Sequence, residues 1–418
     1  MAISLNRKYA TSDHPAMKIN TRKLIRGDKI LWILLLLLSM LSLLIVYSAT
    51  GALAFRQAGG NTFHFLVRQI VFLGLGFGII VIMVNVVQVR IYSMIARAMV
   101  AVSILLLMLA LGLKLAGMAG DSTGRTLNLG FFSFQPAEFA KLALVIYAAK
   151  ILGIQEGSEE GLRNAFWKIL IVAGIICALI SLSNFSTAAL LFGTVMSMMF
   201  VGRIPFRYLL MVVGAALIML VAIYFMADKL DHLPSRFGTV RGRIERFLHG
   251  DPAAEKGITQ ADYAKLAIYE GGFIGKGPGN SDVANYMAAA YNDFIYAIII
   301  EEYGLMGGTV LLLLYMILFF RGIMIVRRTN RTFPAYLVTG LTLMLVYQAM
   351  VNMGVSSGVF PVTGQPLPWV SMGGTSLLFT SVAFGCIISV SYQNQRNSQM
   401  TAEPAVQVAV PEEDQEIG

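Results

Sequence analysis

The run ILWILLLLLSMLSLLIVYS, Ile30–Ser48, carries no charged residue and is as long as one bilayer crossing. It does not read as a cleavable signal, because no small-residue cleavage site and soluble domain follow it. It reads as a first transmembrane helix behind a basic tail, residues 1–29. Similar runs recur near 30–50, 66–86, 95–115, 137–154, 167–183, 185–202, 205–227, 294–326, 334–357 and 374–393. Only Leu182–Phe185 separates the fifth from the sixth, so a tight turn must join them. The chain of 418 residues is 57% hydrophobic and 13% charged, with mean hydropathy +0.71. A soluble chain would carry about a quarter charged residues. The expected fold is an all-α polytopic integral membrane protein, with about ten transmembrane helices in a membrane domain spanning 30–393.

Ten spans put both termini on one side, and basic loops choose the side. The N-terminal tail holds Arg7, Lys8, Lys18, Arg22, Lys23, Arg26 and Lys29, and later loops on its side hold Arg90, Arg203, Arg207, Arg327, Arg328 and Arg331. That side is assigned to the cytoplasm. The net charge of +9 is thereby explained by topology, and no nucleic-acid partner is expected. The polar tail 394–418 is expected to be disordered and cytoplasmic. The other side receives one large extracytoplasmic loop, 228–292. Cys177 and Cys386 lie in apolar runs and read as packing residues, and the four histidines show no ligand spacing.

Within AAAYNDFIYAIIIEEYG, Ala288–Gly304, Asp293 stands at the mouth of a span. A carboxylate near hydrocarbon is costly and is usually kept for use. The plainer alternative is an Asp that caps the helix. Glu301 lies about 80° round a helix and about 12 Å along it from Asp293, too far to pair with it. Glu301 and Glu302 more naturally pair with Lys or Arg on another helix, or hold the fold.

Three further segments carry restricted chemistry. The long loop ends in GGFIGKGPGNS, Gly271–Ser281, whose alternating glycines permit nested amides that can hold an anion. A flexible turn explains the same glycines. Upstream, Arg243 and Arg246 share one face if helical; paired guanidiniums suit a pyrophosphate, and a solvated basic face suits them equally. The loop SSGVFPVTGQPLPWVSMGGTS, Ser356–Ser376, holds three prolines between two spans and excludes regular helix. Irregular backbone at membrane depth survives where protein or a cavity covers it, so this loop is expected to fold back and line a site. Near Gly124–Lys141, Pro136 and Glu138 mark a helix start, with Lys141 within ion-pair reach of Glu138.

Taken in order, five pieces resemble the SEDS family of bacterial cell-wall polymerases, which includes FtsW and RodA. They are QPAEFAK (Gln135–Lys141), the run from Gln260 to Gly272, GKGPGNS (Gly275–Ser281), NDFIYAIIIEEYG (Asn292–Gly304) and the loop Phe360–Ser376. The resemblance covers the chain between its tails, and the GxGxGNS form is closer to the FtsW branch. Some positions depart from the family pattern. Asn184 stands where relatives carry an acid, Tyr291-Asn292 stand where they carry His-Thr, and Trp369 and Met372 replace other bulky residues.

The resemblance implies a peptidoglycan glycosyltransferase that joins lipid II, a disaccharide-peptide on a polyprenyl pyrophosphate, into glycan strands during cell division. It implies Asp293 as the catalytic residue, acting as general base or as ligand of a divalent cation, Mg or Mn. Candidates for substrate contact are Arg243, Arg246, Lys265, Gln260, Gly275, Gly277, Gly279, Asn280, Pro366, Pro368 and Ser371. Gln135, Glu138, Lys141, Glu301 and Glu302 are supporting residues. The implied partners are a class B penicillin-binding protein, which supplies the transpeptidase this chain lacks, and other division proteins. The implied location is the bacterial inner membrane at the septum. Two alternatives remain open: a lipid II flippase, which would need polar binding surface near the midplane, and a non-catalytic division scaffold.

Overall fold

The computed structural model describes residues 25–51, 53, 61–117, 125–128, 133–155, 157–226, 242, 245, 258–287 and 291–406. Among them run eleven helices: α1 (Lys29–Ala49), α2 (Thr62–Asn85), α3 (Val89–Leu115), α4 (Pro136–Gln155), α5 (Glu159–Ser181), α6 (Phe185–Val201), α7 (Phe206–Met226), α8 (Gln260–Gly271), α9 (Ile295–Arg327), α10 (Thr332–Ser356) and α11 (Gly374–Val406). All but α8 match the ten expected spans. Seven are long and apolar enough to cross a membrane; α6 and the first part of α7 are shorter apolar helices. The tenth, α4, has membrane length but carries Glu138, Lys141 and Lys150.

Local chemistry fixes the starts. The Asp28 carboxylate accepts from Ile30 N at 2.9 Å and Leu31 N at 3.4 Å, ahead of α1. Asn184, in the tight turn before α6, accepts from Thr187 N at 3.3 Å. The departure from an acid at this position therefore keeps the cap, since Asn and Asp cap equally well. Thr259 and Asp262 form a capping box that starts α8. A two-residue antiparallel ladder, Leu127–Asn128 with Ser133–Phe134, precedes α4.

Three expected boundaries move most. α5 begins at Glu159, not near 167. α3 begins at Val89, not near 95. α11 runs to Val406, well past the expected end at 393, because Asn394 Nδ2 binds Thr329 Oγ1 at 2.8 Å and Ile325 O at 3.2 Å, tying the extension to the end of α9. Residues 407–418 lie outside the described residues.

Burial sets the layers. The apolar windows of α10 and α11 are 72% buried, those of α2 and α3 only 28%. The last two spans are therefore central, with α4, α6 and α9 packed on α10, and α2 on α11. Lipid is as apolar as leucine, so apolar contact alone does not fix these helices; polar pairs and close approach do.

Two irregular features break the bundle on the side of Asp293. The first is inside α9, where Gly304 sits at φ 68°, ψ −176°. The freed backbone groups are satisfied by the turn segment after α8. Lys276 N donates to Glu301 O and Gly277 N to Glu302 O, both at 2.9 Å, and Leu305 N donates to Gly272 O at 3.0 Å. A side chain at Gly304 would collide with the Phe273 carbonyl, and one at Gly275 with that of Glu302. The second feature is the loop between α10 and α11, which folds back as expected. Trp369, at φ 68° and 2% exposed, donates from Nε1 to Ser39 Oγ at 2.7 Å, midway along α1. Ser42 Oγ donates to Val370 O at 2.8 Å, and the Tyr315 hydroxyl to Pro368 O.

Candidate functional site

Asp293 lies in a turn immediately before α9 and does not cap it. The N-cap residue is Phe294, and no side chain caps there. The segment is pinned through its backbone instead. Ser371 Oγ donates to Asn292 O at 2.8 Å, Met372 N to Tyr291 O at 3.2 Å, and Asn352 Nδ2 to Asp293 O at 3.0 Å. Asn352 also reaches Gln365 O at 2.8 Å, and Gln365 Nε2 donates to Thr187 Oγ1 at 2.6 Å. The re-entrant loop, α10 and the start of α6 thus all converge on the backbone that presents one carboxylate.

The side chain is half-buried, and the loop leaves space beside it. A Cβ at Gly364 would lie 3.5 Å from Asp293 Oδ2 and 3.9 Å from Arg125 Nη1. A carboxylate and a guanidinium therefore border one small volume that a larger residue would occupy. Arg125 is held by Nε donating to Ser183 O at 3.2 Å. It also lines a cavity with Gln135, Pro136 and Asn184. Burial raises the Tyr291 phenol above its usual range; the negative charge of Asp293 adds to the rise, and Arg68 works against it. Tyr291 is thus a neutral hydroxyl at neutral pH, in the field of both charged groups.

The supporting residues fall into two groups. Glu138 and Lys141 form the expected pair at 2.8 Å, buried. Lys141 Nζ also donates to Gln348 Oε1 at 3.1 Å, and Gln348 Nε2 to Pro366 O at 2.9 Å. The ion pair on α4 thus braces the re-entrant loop through α10. Pro366 and Pro368 contribute their carbonyls to this brace and to Tyr315, and Ser371 spends its hydroxyl on Leu367 N and Asn292 O.

Glu301 and Glu302 are 0% and 1% exposed. Glu301 accepts from Asp282 N at 3.0 Å, Val283 N at 3.3 Å and the Ser281 hydroxyl; Glu302 accepts from Ser48 on α1. Glu301 also pairs with Lys276, which lies in the loop after α8 and not on another helix. GKGPGNS packs against these two acids. Gly275, Gly277 and Gly279 have positive φ of 90°, 92° and 80°, so the unusual dihedrals are real. Yet the loop's amides point at carbonyls and carboxylates of this same chain, chiefly those of Glu301 and Glu302. Asn280 Nδ2 closes the turn on Lys276 O at 3.0 Å. Lys276 N and Gly277 N are thus spent on neutral carbonyls, and the Glu301 carboxylate is held by the Ser281 hydroxyl and, just past the motif, by Asp282 N and Val283 N.

Gln260 and Lys265 lie on α8, both exposed. Lys265 faces Asp262 at 3.9 Å and the loop start near Gly358. Arg243 and Arg246 lie outside the described residues. For a divalent cation, Asp293 belongs to no set of three candidate ligands among the described residues. Glu270, Asp282 and Glu301 do form such a set, with ligand atoms within 4.8 Å. Lys276 already bridges all three, at 2.8 Å from Asp282, 3.3 Å from Glu301 and in contact with Glu270.

Sequence reasoning missed Arg125, Gly364, Asn352, Gln348 and Gln365. Two polar amides inside the long apolar run 334–357 were a readable signal, because polar groups there must find partners. Arg125 carried no comparable signal, since its neighbour in space lies 168 positions away.

The FtsW/RodA/SpoVE family model, described as cell cycle protein, matches residues 28–396. A probable peptidoglycan glycosyltransferase FtsW from Coxiella burnetii is 30% identical over 377 residues, covering 87% of this chain and 96% of that one. Stage V sporulation protein E of Bacillus subtilis is 31% identical over 376 residues, covering 89% and 98%. Among solved structures, a chain of a peptidoglycan synthase complex that coordinates polymerization and crosslinking superposes with TM-score 0.70 at 25% identity, covering 88% and 98%. RodA of Thermus thermophilus shares the fold, with TM-score 0.62 at 23% identity. The chain belongs to the FtsW/RodA/SpoVE family of cell cycle proteins.

Proposed function

We infer that this membrane enzyme is a peptidoglycan glycosyltransferase that polymerises lipid II during cell division, with Asp293 as general base. The observation that carries the assignment of Asp293 is the shared space at Gly364, bordered by Asp293 Oδ2 and Arg125 Nη1. A sugar hydroxyl of the acceptor entering there meets a carboxylate that can take its proton as the oxygen attacks the donor's anomeric carbon. The bond from that carbon to the lipid pyrophosphate breaks, and the pyrophosphate leaves with the electron pair. Its developing charge is met by cations. Arg125 is the one beside the carboxylate, and Arg243 and Arg246 on the long loop are the further candidates for the diphosphate. Ser371, Asn352 and Gln365 act through backbone positions to keep Asp293 aimed at this space.

The groups around Asp293 lie at one end of the helices, which favours chemistry there over passage through the midplane. That end faces outward in this reading, with both termini cytoplasmic and the protein in the bacterial inner membrane at the septum. A class B penicillin-binding protein is the proposed partner that cross-links the strands. The test is labelled lipid II given to purified protein and to Asp293→Asn. Glycan strands from the wild type alone support the assignment. Strands from both remove Asp293 from catalysis. Strands from neither, with lipid II crossing sealed vesicles, make the chain a transporter; neither activity leaves a scaffold.

A further inference from the structure

At the end of the bundle opposite Asp293, a cavity of about 530 Å³ opens between the start of α1, the last turns of α9 and the extension of α11. Charge asymmetry assigns this end to the cytoplasm. The lining includes three bases, Lys29, Arg321 and Arg328, and one acid, Asp28. Asp28 is 4% exposed and already committed: it caps α1 and pairs with Arg321, whose Nε lies at 3.0 Å. Arg321 is thereby neutralised. Lys29 and Arg328 are exposed, and among the described residues neither has an ion pair. The cavity thus carries two uncompensated positive charges.

Its wall changes character toward the bilayer. Ile30 and Met324 line the same cavity and are 42% and 36% exposed. They continue outward into Ile33 on α1 and Phe320 on α9, exposed at 58% and 62%. On the water side the lining is Gln395 and Gln399 of α11. Cations at the hydrocarbon border with an apolar lip suit a phosphodiester that stays attached to acyl chains. Basic pockets between transmembrane helices on the cytoplasmic side hold anionic headgroups in this way. A soluble phosphate gains nothing from the lip.

We propose that this cavity is a binding site for the headgroup of an anionic phospholipid of the inner leaflet, separate from the site at Asp293. The α11 extension that walls it is the part of the chain the hydropathy pattern does not account for.

The experiment measures lipid retention by native mass spectrometry of the full chain, released from micelles with phosphatidylglycerol or with phosphatidylethanolamine. The wild type should keep phosphatidylglycerol in preference. The double variant Lys29→Gln/Arg328→Gln should bind it roughly 30-fold more weakly, from two charges acting near the surface. Gln395→Glu, which removes no base, should weaken it as well and decides the matter if the double variant does not fold. Equal retention of the two lipids overturns the proposal, as does unchanged affinity in both variants. Displacement of the lipid by glycerol 3-phosphate at comparable concentration also overturns it, making the cavity a site for soluble phosphates.

Discussion

Replacing Lys141 by Met tests how the site is braced. The Lys141 and Glu138 side chains are 2% and 7% exposed, and 2.8 Å apart. Removing the lysine strands a buried carboxylate, which costs about 3–5 kcal/mol. It also takes from Gln348 Oε1 a hydrogen bond of 3.1 Å, worth about 1 kcal/mol. The double variant Glu138→Gln/Lys141→Met leaves no buried charge and should lose only about 1–2 kcal/mol, chiefly through Gln348. The expected coupling between the two positions is therefore at least about 2 kcal/mol, well above the roughly 0.6 kcal/mol average of polar pairs between membrane helices. The assay is equilibrium unfolding in mixed detergent micelles of the wild type, both single variants and the double variant, at one pH. A Lys141→Met protein within about 1 kcal/mol of wild type would refute the reasoning, and so would a double variant as destabilised as the two singles added. Polymerisation should follow stability in this series, because the same lysine reaches Pro366 through Gln348.

Asp293→Asn should lower polymerisation by about 10²–10⁴-fold, the range for a positioned base, with unfolding unchanged; an active variant in the lipid II assay rules the base out. Gly304→Ala should fail to accumulate folded, because its Cβ meets the Phe273 carbonyl at a positive φ; normal yield on size-exclusion chromatography would contradict that geometry. Lys276→Met leaves Glu270, Asp282 and Glu301 without their internal cation, so millimolar Ca²⁺ should raise the thermal stability of this variant and not that of the wild type. Hydrogen bonding to Asp282, then to Glu270, raises the Lys276 ammonium above its usual range. That contribution is complete below the unfolded lysine value of about 10.4 and is lost only as pH rises through the higher folded value. A stability titration from pH 7 to 9 should therefore show no loss from this group.

The spans were legible in the residues because hydrocarbon demands long apolar runs, and ten helices stand where ten were read. The turn at Leu182–Phe185, the Glu138–Lys141 pair and the buried irregular loop followed from equally local rules. The expected end near 393 was too short because hydropathy reports lipid contact only. Helix can continue into water when a partner such as Thr329 holds it.

The site divided differently. A lone carboxylate at a span mouth marks itself as a candidate, since its cost is visible in one dimension. Arg125 and the space at Gly364 do not, because they meet Asp293 only after the loop folds back between helices. The same limit applies to GKGPGNS. Alternating glycines announce that backbone amides will converge, but which anion they meet depends on where α9 breaks. Sequence determined the membrane fold and the residues with chemistry to offer. Tertiary structure decided which of those groups meet one another, because that depends on distances between segments far apart along the chain.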